Sequence, residues 1–567
     1  MIASFVVLTI LLTGIVILIS KLATKSTFRE EKTNNLKQFF QYSVLFGLLI
    51  VVAVGFAGLL GRIFNRSTFV LADESALARY SAFVIVGLPL LLGVANWIRR
   101  QHQQNTKEKE SLAWNFYLTV TSIVALIAWA SALNQLLRWI FADEFISSQS
   151  FSVFIVWILI WVIHLRFAWE NADPQKIQLS FLLGSFIGAV VGIVAVSTIL
   201  STALRALMIT RETKLIESNL NSLIYGLIYL AIAAIIWITY WIRFAITFEK
   251  TVLWFTYLII VAIGGSLITA VSTLSTSVYQ IIVWLIGEPV EKTFSSHFQN
   301  MPMLASVALT TLFVWWYHKS VLKEINVGKR NDVNRTYDYL IAAIGLVAAT
   351  TGFTTVLVSL MESLAVASLI TGGSAINTLL LALTLIAVGA PFWFIHWNRV
   401  QKLITYQDLD EQKSPVRRVY LFLLFGVSGI AAIVSAILVV YFVFEDSFSG
   451  GLSLETLRKL RFPLAILIST AVISGYHWLV FRVDRELDLA DAMEPDNIYV
   501  ISPLDKDLAD WLKKNARGKS KVWIDLDSKA EPFDRAELLQ LIKSSRSKTI
   551  FVLNHDGKPQ IINVGNE

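Results

Sequence analysis

The chain has 567 residues, of which 55% are apolar and only 16% charged, with a mean hydropathy of +0.63. A soluble domain is nearer about a quarter charged, so a soluble globular class is excluded. Cysteine is absent, which removes disulfides, thiolate metal sites and cysteine nucleophiles. The net charge of +7 does not imply nucleic acid, because the basic residues lie mainly between hydrophobic runs, as membrane topology requires.

Each apolar run is long enough to cross a hydrocarbon core of about 30 Å as a helix. The runs are continuous rather than alternating, so they are helices and not barrel strands. Thirteen spans are predicted, near 3–22, 39–62, 80–98, 112–140, 151–169, 180–208, 222–243, 252–286, 303–320, 338–363, 377–398, 418–444 and 463–482. The first, Met1 to Leu22, lacks a basic leading region and a small-residue cleavage site. It is read as a retained span with its N-terminus outside, a cleaved signal peptide being the alternative. With residues 21–37 placed in the cytoplasm, inside segments carry 25 Lys and Arg and outside segments 11. That asymmetry puts the C-terminal region in the cytoplasm.

After the first span, hairpins recur. Each leaves the cytoplasm through a long helix and returns through a shorter one that closes in an aromatic-basic cluster. The six endings are Asn96-Trp97-Ile98-Arg99, His164-Leu165-Arg166, Tyr240-Trp241-Ile242-Arg243, His318-Lys319, His396-Trp397-Asn398-Arg399 and His477-Trp478 with Arg482. From His164 through Tyr240, His318 and His396 to His477 the intervals are 76, 78, 78 and 81 residues, after a first interval of 68 from Asn96. Such self-similarity marks a repeat architecture, and two helices per unit keep all units parallel. The outgoing helices carry Gly47, Gly188, Gly345 and Gly426 early in their spans, where glycine admits a neighbouring backbone. Two return helices share Val86-Gly87-Leu88-Pro89 and Val388-Gly389-Ala390-Pro391, whose prolines predict kinks.

On the Val-Gly-x-Pro segments and the His-Trp endings at 396–397 and 477–478, the chain resembles a bacterial multi-pass family known as domain of unknown function 5671, over residues 35–485. The resemblance implies a bacterial plasma membrane and no particular activity.

Two sets of residues stand out chemically. His164, His318, His396 and His477 fall near the cytoplasmic ends of return helices. They suit either a ring of imidazoles that binds an anionic headgroup, shuttles protons or ligates haem, or simple interfacial anchors. The second set is four polar stripes in the outer halves of outgoing helices: Ser131, Asn134 and Arg138; Thr198, Thr202 and Arg205; Ser266, Thr269, Thr273, Thr276 and Gln280; Thr351, Thr355, Ser359 and Glu362. Steps of three and four place each stripe on one helical face. They suit a polar vestibule or ordinary interhelical hydrogen bonding. No charge falls at a predicted midplane, which argues against ion- or proton-coupled transport.

After Arg485 the pattern turns acidic and polar, a linker or helical extension over Glu486 to Asp496, and then α/β in the order βαβαββ, with an Asp556-Gly557 hairpin turn. Asp525 and Asp527 end the second strand; a metal there is the minority reading beside a charged strand end. The expected protein is all-α and polytopic: an anchor (1–30), six parallel two-helix repeats (31–487) and a small cytoplasmic α/β domain (488–567). Three functions stay open: a facilitator for small molecules or lipids, a structural or assembly protein whose cytoplasmic domain recruits a protein partner, and a redox or haem-binding subunit. No cofactor, metal or nucleic acid is expected; the lipid bilayer is the one certain partner.

Overall fold

A computed structural model describes residues 29–64, 74–142, 148–170, 173–208, 213–325, 331–364, 375–405, 411, 414–491, 495–503, 505, 507–516, 518–525, 531–545, 547, 549–555 and 558–564. The expected first span near 3–22, Asp527 and the Asp556-Gly557 turn lie outside them. The chain divides into two compact units, Met1–Val327 and Gly328–Glu567.

In the first unit, α1 (Arg29–Phe64), α2 (Glu74–Gln104), α3 (Leu112–Ala142), α4 (Ser148–Glu170), α5 (Pro174–Met208) and α6 (Thr213–Trp237) run in succession. A π-helical segment, Ile238–Ala245, extends α6. After a turn, α7 (Val252–Thr256) passes through a second π segment, Tyr257–Gly264, into α8 (Gly265–Ile286). The short α9 (Phe294–His297) and then α10 (Met301–Ile325) follow. Consecutive helices pair as α1 with α2, α3 with α4, α5 with α6 and α8 with α10. Thr251 starts α7 as its cap, its hydroxyl accepting from the Trp254 amide at 3.2 Å. The widened π turn buries the sequence neighbours Tyr240 and Trp241 together, both at 0% exposure.

In the second unit, α11 (Asp332–Leu364) pairs with α12 (Ala375–Thr405), and α13 (Pro415–Ser449) with α14 (Leu454–Asp491). Ser414 caps α13 ahead of Pro415, which needs no amide at that position. The α13–α14 turn uses Gly450 and Gly451 at φ 153° and 102°, a region that side chains disfavour. The helices continue past Pro89, Pro391 and Pro463. The segment expected as linker or extension is helical to Asp491.

Eleven of the described helices are long and apolar enough to cross a membrane, so this is an integral membrane protein. The 25-residue α10, which carries Trp315, Trp316, Tyr317 and His318, is not among the eleven. Helix α13 leaves Phe422, Val427, Ile430, Ile433 and Ile437 more than half exposed, as a lipid-facing helix does.

The second unit ends in a four-stranded mixed sheet, order β2-β1-β3-β4, of β1 (Asn497–Ser502), β2 (Lys519–Ile524), β3 (Thr549–His555) and β4 (Lys558–Val564). Its helices α15 (Leu508–Asn515) and α16 (Arg535–Ser544) supply Leu508, Leu512, Leu538 and Ile542 to a core with Ile498, Val500, Ile550 and Val552.

Candidate functional site

In the first unit a polar–aromatic cluster forms where helix pairs begin and end. Gln38 and Tyr42 lie one turn apart within α1, on one face. Gln38 Nε2 donates to Glu108 Oε2 at 3.0 Å, and Tyr42 Oη lies 2.9 Å from His102 Nε2. The next pair repeats the contact, with Tyr117 Oη 2.9 Å from His164 Nε2. His164 Nδ1 lies 2.8 Å from the Ile160 carbonyl, so Nδ1–H donates there and Nε2 accepts from the phenol. Trp114 bridges the two contacts, with ring centroids 5.4 Å from Tyr42 and 5.5 Å from Tyr117.

From there indoles reach forward along the chain. Trp161 Nε1 donates to Tyr240 Oη at 2.7 Å, and Trp241 Nε1 to Tyr317 Oη at 3.0 Å. The Trp241 ring lies 5.4 Å from His318 at 58°. In the second unit Trp397 Nε1 donates to Tyr476 Oη at 2.7 Å, and its ring lies 5.6 Å from His477, again at 58°. One arrangement, an indole set against a Tyr-His pair of a later helix, thus occurs in both units.

The second unit adds buried charge. Arg335 Nε meets Glu411 Oε2 at 3.0 Å, and Tyr339 Oη donates to Glu411 Oε1 at 3.4 Å. Arg417, 1% exposed, donates from Nε to Asp484 Oδ2 at 2.6 Å, from Nη2 to Oδ1 at 3.3 Å and from Nη1 to Tyr339 Oη at 3.3 Å. His396 Nδ1 and Arg399 Nη1 approach Asp338 Oδ1 at 3.1 and 3.5 Å. Charges this buried persist only when paired and hydrogen-bonded. Helices α11, α12, α13 and α14, with Glu411 ahead of α13, bring these groups to one end of the two helix pairs, where the network ties the helices together.

Of the sequence-predicted repeat ends, His164, His318 and His477 are buried at 6%, 2% and 1%, and each Nδ1 bonds the carbonyl four residues back. The Nε2 atoms of His318 and His477 have no partner. His396 differs, turned to Asp338. Asn96 and Trp97 are exposed. In that hairpin the bonded residue is His102, which the aromatic-basic spacing did not single out. Trp241 and Trp397, rather than Tyr240 and His396, occupy the position beside the next histidine. Trp478 is 44% exposed.

The threonines of the stripes bond within their own helices. Thr198, Thr202, Thr269, Thr273, Thr276, Thr351 and Thr355 donate to carbonyls four residues back at 2.8–2.9 Å, and Ser266 does the same at 2.6 Å. Ser131, Thr269, Thr276 and Thr351 are exposed. The Arg138 guanidinium lies 4.2 Å from the Tyr225 ring centre, and Glu362 pairs with Arg461 at 3.1 Å. Asn134 Oδ1, Arg205 Nε, Gln280 Oε1 and Ser359 Oγ are buried without a hydrogen-bond partner. At the end of β2, the Asp525 amide donates to the Ser502 carbonyl at 2.9 Å. No group of three metal-type side chains occurs among the described residues.

Sequence reasoning missed Tyr42, His102, Tyr117, Arg335, Asp338, Glu411, Arg417 and Asp484. Tyr117 and Asp338 fall in the second turn of α3 and α11, a position the sequence could have offered; His102, Glu411 and Asp484 carry no such signal.

The outgoing-helix glycines divide into two kinds. A Cβ on Gly345 would lie 2.4 Å from the Trp393 amide nitrogen, and one on Gly188 2.9 Å from the Trp237 nitrogen. Around Gly47 and Gly426 nothing comes within 4 Å. The Val-Gly-x-Pro glycine Gly389 lies against Ala349 and Gly345, so two backbones cross there without side chains between them.

No curated protein and no solved structure matches the chain. One family matches twice, over residues 38–163 and 335–472. The first match opens within α1 and the second near the start of α11, and each takes in two consecutive helix pairs. Residues 164–334 lie outside both, so the resemblance is narrower than the 35–485 expected from sequence. Over these two four-helix segments the chain resembles the family described as domain of unknown function (DUF5671).

Proposed function

We propose that this protein is a membrane scaffold, not a transporter, whose interlocked helix hairpins hold the C-terminal α/β module at the cytoplasmic surface for a protein partner. The observation that carries the reading is the self-bonding of the stripes. A hydroxyl that gives its hydrogen to its own helix has no proton left to offer a solute and keeps only acceptor lone pairs, and several of these hydroxyls lie on exposed faces. The proposal includes six parallel hairpins, an outside N-terminus and a cytoplasmic module. The duplicated Trp–Tyr–His arrangement supports the repeats, and the 25-to-11 distribution of Lys and Arg supports the orientation.

One observation favours a facilitator instead: the buried, unpartnered polar atoms of Asn134, Arg205, Gln280 and Ser359, which water in an outer vestibule would satisfy. Stopped-flow light scattering on proteoliposomes separates the two. The scaffold reading expects water, glycerol and urea to equilibrate as in protein-free vesicles. Faster equilibration that Ser359→Ala or Gln280→Leu abolishes would replace it with the facilitator.

A further inference from the structure

The sheet of the C-terminal module has one covered face and one bare face. Alternation puts Ile498, Val500, Ile550 and Val552 under the helices. The register then puts Tyr499, Ile501, Trp523, Phe551, Leu553, Ile562 and Val564 on the other side. There Tyr499 stacks between Trp523 and Phe551, at 5.4 and 4.9 Å with interplanar angles of 17° and 18°. Trp523 and Ile562 are 40% and 48% exposed. The same register places Lys519, Lys521 and Lys558 on this face, with Lys521 Nζ 5.5 Å from the Trp523 ring centre. Among the described strand residues of the face there is no carboxylate.

The tether limits what can cover it. The spanning part of α14 ends at Asp484 and its last turn at Asp491, and β1 begins at Asn497. The five residues between, 492–496, reach at most about 18 Å. A module held this close to the bilayer meets its surface at high effective concentration. Trp and Tyr settle at headgroup depth, and a basic face is drawn to an anionic leaflet.

We infer that the bare aromatic–lysine face of the module docks on the anionic lipid headgroups of the protein's own membrane. The inference builds on the scaffold reading by naming one surface the module engages, and it leaves the module's other side, helices α15 and α16, for the protein partner.

The absence of cysteine lets one introduced thiol report one place in the full-length protein. An environment-sensitive fluorophore on Ile562→Cys reads the bare face, and one on Lys513→Cys reads the helix side. In nanodiscs of equal parts phosphatidylglycerol and phosphatidylcholine, the Ile562→Cys label is expected to shift blue and to lose several-fold in quenching by iodide. It returns to the aqueous value in phosphatidylcholine alone. The Lys513→Cys label stays aqueous in both. Replacing Lys519, Lys521 and Lys558 with Glu is expected to restore iodide quenching, each lysine contributing roughly fivefold to the docked population. An Ile562→Cys label that is aqueous in both lipids overturns docking and leaves the scaffold reading to its flux test. Protection independent of anionic lipid, rising with protein concentration or on addition of a soluble protein, overturns it in favour of a second copy or a protein ligand. Slow hydrogen exchange of the β1 and β3 amides in the full-length triple variant, as in the parent protein, shows that the module remains folded.

Discussion

Trp397 gives its indole N–H to the hydroxyl of Tyr476, 79 residues later and on another helix pair, at 2.7 Å. Trp397 is buried, so its donor has no water to fall back on. Tyr476→Phe leaves the buried indole unsatisfied and is expected to lower stability by about 1 kcal/mol, toward the upper end of hydrogen bonds measured in membranes. Denaturant titration of the detergent-solubilised protein reads this. In a double-mutant cycle with Trp397→Phe, the coupling should match the single loss; strict additivity would mean the bond contributes nothing.

Arg417, itself buried, is held bidentately by the half-buried carboxylate of Asp484. Arg417→Leu strands the carboxylate, with an expected loss of about 3–5 kcal/mol. Arg417→Lys recovers only part, because an ammonium cannot span both oxygens. The double change Arg417→Leu with Asp484→Leu should come close to wild type, and expression together with melting temperature would decide. A double variant as damaged as the single one would show that the charges are needed for more than each other.

Gly345→Ala or Gly389→Ala should force α11 and α12 apart, because the added methyl meets backbone rather than a flexible side chain. The expected loss is at least about 1–3 kcal/mol, the range for overpacking. Gly47→Ala, in open space, should be neutral or stabilising by up to about 1 kcal/mol through helix propensity. Equal melting temperatures for the two classes would refute the close crossing.

Asp173 lies between two spans and caps α5. Its Oδ1 accepts from the Gln175 amide at 2.9 Å, and its Oδ2 sits 3.1 Å from Lys176 Nζ. Burial pushes its pKa up, but Lys176 and the helix amides outweigh that and hold it below the usual carboxylate value. The stabilisation is therefore complete above about pH 4 and fades as pH falls through the lowered pKa. Asp173→Ala should cost about 1 kcal/mol at neutral pH. Asp173→Asn should keep most of the cap and flatten the acid side of the stability curve. An acid limb unchanged in Asp173→Asn would assign that slope to other carboxylates.

The helices were legible because membrane spans announce themselves: continuous apolar runs predicted α11 over 338–363, and it extends over Asp332–Leu364. The missing piece was through-space pairing. Arg335, Arg417 and Asp484 flank spans, where a sequence reading sees snorkelling charges; their partners are 76 and 67 residues away. The stripes were visible as a helical period, but period says nothing about which way a hydroxyl turns, and Thr reaches its own helix easily. The regular spacing of the aromatic endings was legible, but not which ring is used: Tyr240-Trp241 and His396-Trp397 each offer two, and only packing tells that Trp241 and Trp397 meet His318 and His477. The module's succession of elements, βαβαββ, could be read from the apolar pattern, whereas the sheet order β2-β1-β3-β4 and the segregation of its lysines onto one face appear only with the register.

The indole–phenol bonds have a direction in time. In each of the three, the donor is synthesised first and its acceptor 76–79 residues later. At ordinary elongation rates of about 5–20 residues per second, each tryptophan waits roughly 4–16 s in the bilayer before its tyrosine leaves the ribosome. A hairpin already inserted is then an unfinished template that only the next one completes, and the order of translation becomes the order of assembly.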